Sequence, residues 1–585
     1  MPRTPIQHTF APSHRRSSLQ TRLTRVALAS LAAWMAAPAF ALYDPADAGT
    51  EPRTDRVIVK YRNAANSSTL DSNTLSKARN AGNRQGLSLN HQRARGDGNH
   101  VLRANRAMTL TEAQSLADAI RSGDGNVEYA EPDRIMRIQL LPNDTSYSSQ
   151  WHYSESTAGL NLPAAWDKST GSGVVVAVID TGYRPHADLA ANIVSGYDFI
   201  VDTAVSNDGN GRDSDATDPG DWVAAGECGT NSAAAASSWH GTHVAGTIAA
   251  LTNKNKGVVG VLPRKKVKLH IVKVFGDDGA WAYSSTLANA AKKCQAAGAN
   301  VISMSLGGPL PNATERTTFD NLKAAGILSI AAAGNGGNTQ TSYPAGYGAV
   351  MSVAALNENK EWATFSQRNS DVEIAAPGVS VLSTVPMGTG SDSSLVVGAT
   401  TYAPGGMDGS PKTTATAALA NFGLGDAIDT SVSGKVCLIA RGNIAFSEKV
   451  LNCQNSGGIG AVVFNNVAGG FGGTLGGVAT TIPSVTASDT EGAAMLGQLG
   501  QSATVTVEAS NYAFFDGTSM ATPHVSAVAA LVWSYFPTCT GEQIRISLNN
   551  SALDLGNVGR DVKFGYGLVQ AKSAYDRITA LGCGN

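Results

Sequence analysis

At 585 residues, with 42% hydrophobic and only 15% charged side chains, the chain is too long for one compact unit, and its composition excludes a disordered, collagen-like or coiled-coil protein. The formal net charge of −2 is unevenly spread: residues 1–41 carry five Arg and no acid, whereas residues 142–585 carry 25 basic and 34 acidic side chains. An acidic body without a basic patch argues against nucleic acid as a partner.

The first feature along the chain is an export signal. Arg22 and Arg25 precede an apolar run from Val26 to Met35, and Ala39-Phe40-Ala41 supplies a small-x-small cleavage site. Cleavage is expected after Ala41, giving a secreted product. The rival reading, a membrane anchor, is disfavoured because this run is too short to span a bilayer comfortably. No other stretch reaches 18 apolar residues, so no membrane span is expected. Arg15-Arg16 is a weak match to a twin-arginine signal, with Ser18 where that pattern prefers an aromatic, which favours the general secretion route.

Residues 53–141 read as a small α+β domain. RVIVKY (56–61) is a strand by its alternation and β-branched content, and NVEYAEPDRIMRIQ (126–139) is another. The segment 109–123 is a helix capped by Thr109 or Thr111, with Leu116, Ala119 and Ile120 on one face and Gly123 as its stop. The polar stretch Pro142–Gln150 reads as a linker.

From 151 to 387 the pattern changes to near-continuous apolar runs: SGVVVAVID (172–180), ANVISMSLGG (299–308), GILSIAAAGN (326–335) and AVMSVAAL (349–356). Such runs suit parallel strands buried on both faces. Helical segments lie between them, such as 284–298 with Leu287, Ala290, Ala291 and Cys294 on one stripe. An open, mostly parallel α/β sheet flanked by helices is expected. Residues 388–510 interrupt the pattern with Gly, Ala, Ser and Thr and short strands at 434–441, 460–466 and 503–509, as a β-rich domain inserted through a surface loop would. The α/β pattern resumes with FDGTSMATPHVSAVAALVW (515–533) and runs to residue 585.

All six cysteines follow residue 227. An even count in an exported chain suggests three disulfides, with fifteen possible pairings. Segment membership favours Cys437–Cys453 and Cys539–Cys583, leaving Cys228–Cys294. A metal site is the rival, but no CxxC spacing exists.

Three residues carry the chemistry. Asp180 ends a buried run, and carboxyl ends of strands are where open α/β sheets form their sites; alone it could be a turn or cap residue. His240 opens HGTHVAGT (240–247), where Gly241 leaves backbone room; the rival is a metal pair with His243. Ser519, in GTSMATPH (517–524), stands at a helix N-terminus whose dipole favours a nearby oxyanion; alone it could be a helix cap. The order Asp, His, Ser is that of subtilisin, not of chymotrypsin.

Together DTGYRPH (180–186), HGTHVAGT, SMSLGG (303–308), AAAGN (331–335) and GTSMATPH resemble the motifs of the subtilisin-like serine proteases, over residues 151–387 and 511–575. The resemblance implies a subtilisin-like catalytic domain (151–387 and 511–585) and a secreted endopeptidase in which Asp180, His240 and Ser519 form the triad. It implies Asn335 as an oxyanion-hole donor beside the Ser519 N–H. Ser305, Leu306 and Gly307 would pair with an extended protein or peptide substrate. Ala332, Ala333 and Gly334 would form the other pocket wall, and Ser342 its floor; no pocket acid is visible. Residues 53–141 resemble the inhibitory propeptide, so the chain's own propeptide is an expected partner. Residues 388–510 resemble a protease-associated domain through the segment 434–466. A monomer is expected.

The loop NDGNGRDSDATDPGDW (207–222) holds Asp208, Asp213, Asp215, Asp218 and Asp221. Calcium takes several oxygen ligands from such loops, and the resemblance implies a structural calcium there, although the spacing is not that of an EF-hand. An α/β-hydrolase is excluded by chain order and by the absence of GxSxG around Ser519.

Overall fold

The computed structural model describes residues 53–584 except 63–68, 95–97, 135–141, 155–157, 225, 227–235, 253–254, 264–266 and 277–281. The expected signal segment 1–41, the tail of the first small domain and Cys228 lie outside the described residues.

Near the N-terminus, four antiparallel strands run in the order Leu89–Ala94, Asn99–Thr109, Arg53–Tyr61, Val127–Pro132. Helices Ser72–Asn83 and Leu110–Gly123 accompany them. Thr109 is the cap: its Oγ1 accepts the Glu112 N–H at 3.1 Å while Glu112 Oε2 accepts the Thr109 N–H at 2.9 Å, a reciprocal capping box. Val57, Val59, Leu102, Met108, Leu116 and Ile120 close its own small core.

The main sheet has seven strands, all parallel. In spatial order they are Ile374–Pro377, Val350–Leu356, Leu328–Ala332, Val301–Met304, Val175–Asp180, Lys268–Lys273 and Ile193–Asp198. The apolar runs become strands because both faces are covered, and strand alternation splits their side chains between two cores. Val176 and Val178 pack with Val244, Ile248, Val525 and Val528 on one face. Ala177 and Ile179 pack with Leu287, Ala291, Phe319 and Leu322 on the other. The helix Thr518–Tyr535 is buried around almost its whole circumference from Thr518 to Trp533, which explains its unbroken apolar sequence.

The strand Val381–Thr384 pairs antiparallel with Tyr512–Phe515, Val381 facing Phe515 and Thr384 facing Tyr512. The chain therefore leaves and re-enters the α/β body at neighbouring points. Between them, residues 390–510 build a second seven-stranded sheet, antiparallel in its first three pairings and parallel in the last three.

Three expectations need correction. Residues 143–150 are not a free linker. Asn143 Oδ1, Thr145 Oγ1 and Gln150 Oε1 accept the N–H groups of Asn255, Gly257 and Val259, and Gln150 is fully buried. Its polar residues serve as backbone acceptors rather than as a solvated spacer. The cysteines give two disulfides among the described residues, Cys437–Cys453 and Cys539–Cys583. Cys294 is a free, fully buried thiol, so the expected Cys228–Cys294 link is absent. It sits on the apolar stripe of the helix Ser284–Ala296, where it packs as a small hydrophobe and burial pushes its thiol pKa up. Two strands of the first sheet, Leu89–Ala94 and Asn99–Thr109, were also not expected. Among the described residues no helix is long and apolar enough to cross a membrane.

The Cys539–Cys583 bridge joins residues 44 apart. Replacing both by Ser should cost about 4 kcal/mol on the chain-entropy account, read as a lower urea midpoint. An unchanged midpoint would mean that packing alone holds the C-terminal helix Ala571–Leu581.

Candidate functional site

The strand Val175–Asp180 is where the sheet changes direction. From it the chain first goes to Ile193–Asp198 and Lys268–Lys273 on one side, then to Val301–Met304 on the other. A crevice opens outside the carboxyl end at such a reversal, and Asp180 stands there, fully buried. Its Oδ1 accepts the Thr181 N–H at 2.8 Å and lies 2.8 Å from His240 Nδ1.

His240 begins the helix His240–Ala249, its side chain 25% exposed against 1% for Asp180. A Cβ on Gly241 would stand 2.1 Å from Gly182 O and 3.1 Å from Asp180 Oδ1, so only glycine lets the helix begin this close to the Asp180 turn. Burial opposes the charged imidazolium, but the Asp180 carboxylate, with Asp221 and Asp218 behind it, outweighs burial and raises the His240 pKa above its ordinary value. His243 is not its metal partner. Its Nε2 reaches the carbonyls of Val381 and Ala513 at 3.0 and 3.1 Å, its ring stacks on Phe515, and burial lowers its pKa to about 3.

Ser519 is the second residue of the helix Thr518–Tyr535, which contains Pro523. Proline has no N–H, so the Ser519 carbonyl loses its helical donor four residues on. Ser305 replaces it: Ser305 Oγ donates to Ser519 O at 2.7 Å, while Ser519 Oγ donates to Ser305 O at 3.3 Å. Asn335 Oδ1 accepts from Thr518 N at 2.9 Å and Thr518 Oγ1 at 2.8 Å, which orients its amide. A methyl group on Gly517 would stand 3.5 Å from both Asn335 Nδ2 and Ser519 N, so two N–H donors flank one point.

His240, Asn335 and Ser519 line one cleft of ≈ 790 Å³, with Ser305, Leu306, Gly307, Ala332, Gly334 and Ser342. A Cβ on Gly307 would fall 2.2 Å from Ser342 Oγ, so the glycine leaves the hydroxyl room. Ala333 does not line the cleft: it follows the strand Leu328–Ala332, and alternation turns its side chain into the core. Two acids, Glu315 and Asp221, also line the wider cleft. Glu315 Oε2 accepts the Tyr347 hydroxyl at 2.9 Å. The signal for it was Asn312, which caps the helix Ala313–Ala324 and places Glu315 in its first turn.

The acidic loop does not gather into a calcium cage. Asp208 is held by Lys273 and by Ser206 Oγ. Asp213 accepts the Asp215 N–H, and Asp215 accepts the Thr217 N–H and hydroxyl. Asp218 accepts from Thr181 Oγ1 and Gly220 N, and Asp221 from Ser238. Among the described residues no three His, Cys, Asp or Glu side chains come together as a metal group. The buried Lys273 ammonium lies 2.9 Å from Asp198 and 3.5 Å from Asp208. Burial and the nearby Asp221 raise the Asp218 pKa to about 7.

Comparison with known proteins places these residues in context. The Subtilase family model matches residues 171–425 and 426–567. An extracellular protease of Xanthomonas campestris pv. campestris is 41% identical over 398 residues, covering 65% of this chain and 67% of that protein. An extracellular basic protease of Dichelobacter nodosus is 35% identical over 389 residues, covering 63% of each. A psychrophilic subtilisin-like protease of the Antarctic psychrotroph Pseudoalteromonas sp. AS-11 aligns with a TM-score of 0.57 at 36% identity, covering 75% of this chain and 98% of that one.

Gly241→Ala should destabilise by about 2–3 kcal/mol through overpacking, seen as a lower urea midpoint. Wild-type stability would mean that the helix start can retreat without cost.

Proposed function

Because the chain belongs to the subtilase family and is a serine endopeptidase, we propose that Ser519 is its nucleophile, His240 the general base and Asp180 the residue that orients the imidazole. The observation that carries this reading is the 2.8 Å contact of His240 Nδ1 with the buried Asp180, in the same cleft as Ser519. Nδ1 donates to the carboxylate, so Nε2 is the free acceptor. Rotation about the Ser519 Cα–Cβ bond takes the hydroxyl from Ser305 O toward the imidazole. His240 removes the proton as Oγ attacks the peptide carbonyl, and returns it to the leaving amine; water then releases the acyl group by the same route. Asn335 Nδ2 and Ser519 N–H receive the oxyanion. The substrate strand lies along Ser305–Gly307, with one side chain between that segment and Ala332–Gly334, above Ser342.

The same reading covers the rest of the chain. Residues 1–41 are a secretion signal, in keeping with the extracellular relatives. Residues 53–141 are an inhibitory propeptide and 388–510 a protease-associated domain. The chain acts as a secreted monomer that removes its own propeptide near residues 139–143. The hydrogen bonds that begin at Asn143 support this, since the new N-terminus would already be anchored. Subtilases commonly bind structural calcium.

Two outcomes are expected. Purified Ser519→Ala protein should fold, fail to hydrolyse casein and retain its propeptide until active enzyme is added in trans. Maturation at the normal rate with no other protease present would overturn the assignment. Asn335→Ala should process and hydrolyse more slowly, by about 10²–10³-fold, the magnitude established for removing one such donor from subtilisin, a relative of this chain.

The base must be neutral, and its raised pKa places the loss of activity, as pH falls, above the ordinary ~6.5 of histidine. A kcat/KM profile should therefore have its acid midpoint above pH ~6.5 and a plateau in mild alkali. An optimum near pH ~4 would contradict His240 as base.

A further inference from the structure

The helix that opens on His240 has no ordinary cap. The residue before it, Trp239, sits at φ 53° and makes no side-chain cap bond. A bulky residue in the left-handed region is strained and must be held there by its surroundings. The first N–H groups of the helix also need acceptors.

Two buried carboxylates meet both needs, each through one hydroxyl. Ser238 Oγ accepts the His240 N–H at 3.3 Å and donates to Asp221 Oδ2 at 2.5 Å, while Asp221 Oδ1 takes the Ser238 N–H at 2.6 Å. Thr181 Oγ1 accepts the Gly241 N–H at 3.0 Å and donates to Asp218 Oδ2 at 3.0 Å. Both acids thus stand behind the positive end of the helix. The two arms differ in what they hold. Thr181 follows Asp180 in the turn at the end of the central strand, so the Asp218 arm ties the helix to the sheet. The Asp221 arm grips Ser238, and so acts on the strained backbone at Trp239. It is itself set in place by Gly220 at φ 129°, where a Cβ would fall 2.6 Å from Ser237 Oγ and 2.7 Å from the Trp222 ring.

We propose that Asp221 is a positioning residue for peptide hydrolysis: through Ser238 it holds Trp239 in the left-handed conformation and so fixes where His240 enters the cleft. This rests on the reading of His240 as general base. Asp221, Ser238 and His240 line the same cleft, so a shift of the clamp moves the imidazole directly against the reacting atoms. Rates are steeply sensitive to such displacements, about 10²-fold for 1 Å.

The test uses the mature enzyme, the propeptide removed, with kcat and KM measured separately on a chromogenic peptide and folding followed by circular dichroism. Asp221→Ala should lower kcat about 10- to 100-fold and leave KM within about threefold, because orientation is lost rather than binding. Ser238→Ala removes the hydroxyl but keeps the acid, and should lower kcat in the same way. Asp221→Asn, whose Oδ1 still accepts the Ser238 N–H, should lose less. The decisive variant is the double substitution Asp221→Ala with Trp239→Gly. Glycine adopts this conformation without a clamp, so kcat should return to within about threefold of Trp239→Gly alone. A merely stabilising role for Asp221 would give a lower melting temperature with unchanged kcat, and no rescue. Wild-type kcat in Asp221→Ala, or a loss that Trp239→Gly does not relieve, overturns the proposal. Should Asp221→Ala fail to fold, Ser238→Ala with and without Trp239→Gly gives the same decision. His240→Ala separates this proposal from the reading beneath it. If His240→Ala stays active, the base assignment fails; if it is inactive while Asp221→Ala keeps wild-type kcat, only the clamp fails.

Discussion

A carboxylate with no solvent exposure is costly unless its surroundings repay its desolvation, and the site is arranged around how Asp180 meets that cost. Parallel pairing on both sides of Val175–Asp180 carries the residue to the reversal point of the sheet. The tight turn through Thr181 and Gly182 then brings the His240 helix down onto it. Gly182 at φ 99° and Gly241, with room for no Cβ, are the positions at which this approach depends on glycine. What reaches the cleft is an imidazole held at one nitrogen and open at the other.

The second arm of the site depends on a defect in a helix. Pro523 leaves the Ser519 carbonyl unbonded within the helix, and the Ser305 hydroxyl fills that vacancy while the Ser305 carbonyl takes the Ser519 hydroxyl. This reciprocal pair ties the segment 305–307, assigned to substrate pairing, to the residue assigned to attack. Asn335 is fixed by Thr518, on the first turn of the same helix. The residues proposed as substrate strand, nucleophile and oxyanion donors therefore share one support, the helix Thr518–Tyr535, which is packed into the first core. That preorganisation keeps their mutual distances from changing as charge develops.

The legible parts of the sequence were those where one physical pattern dominates. Near-continuous apolar runs gave the four strands at 175–180, 301–304, 328–332 and 350–356, because burial on both faces leaves no room for polar alternation. The strands Leu89–Ala94 and Asn99–Thr109 were missed because their exposed positions are Asn, Gln, Arg and Ala, which do not read as strand. The acidic loop suggested a metal because composition does not reveal that its carboxylates accept from nearby N–H and hydroxyl groups, with Asp208 also paired to Lys273 on a neighbouring strand. Cys294 was paired by elimination, whereas its place on an apolar helical stripe makes it a core residue. Adjacency to Gly334 in the sequence put Ala333 in the wall, whereas alternation turns it into the core; Glu315 reaches the cleft only through the turn after Asn312, which sequence order does not show.

The central claim is that Ser519 is made nucleophilic by the His240–Asp180 pair. Covalent labelling tests it most directly. The mature enzyme would be treated with a serine-directed fluorophosphonate, its intact mass recorded and the labelled residue located by peptide mapping. The account predicts one label per chain, on Ser519, with the labelling rate reduced at least about 10³-fold in His240→Ala protein whose propeptide has been removed in trans. A label on any other residue, or labelling of His240→Ala at the wild-type rate, would contradict it.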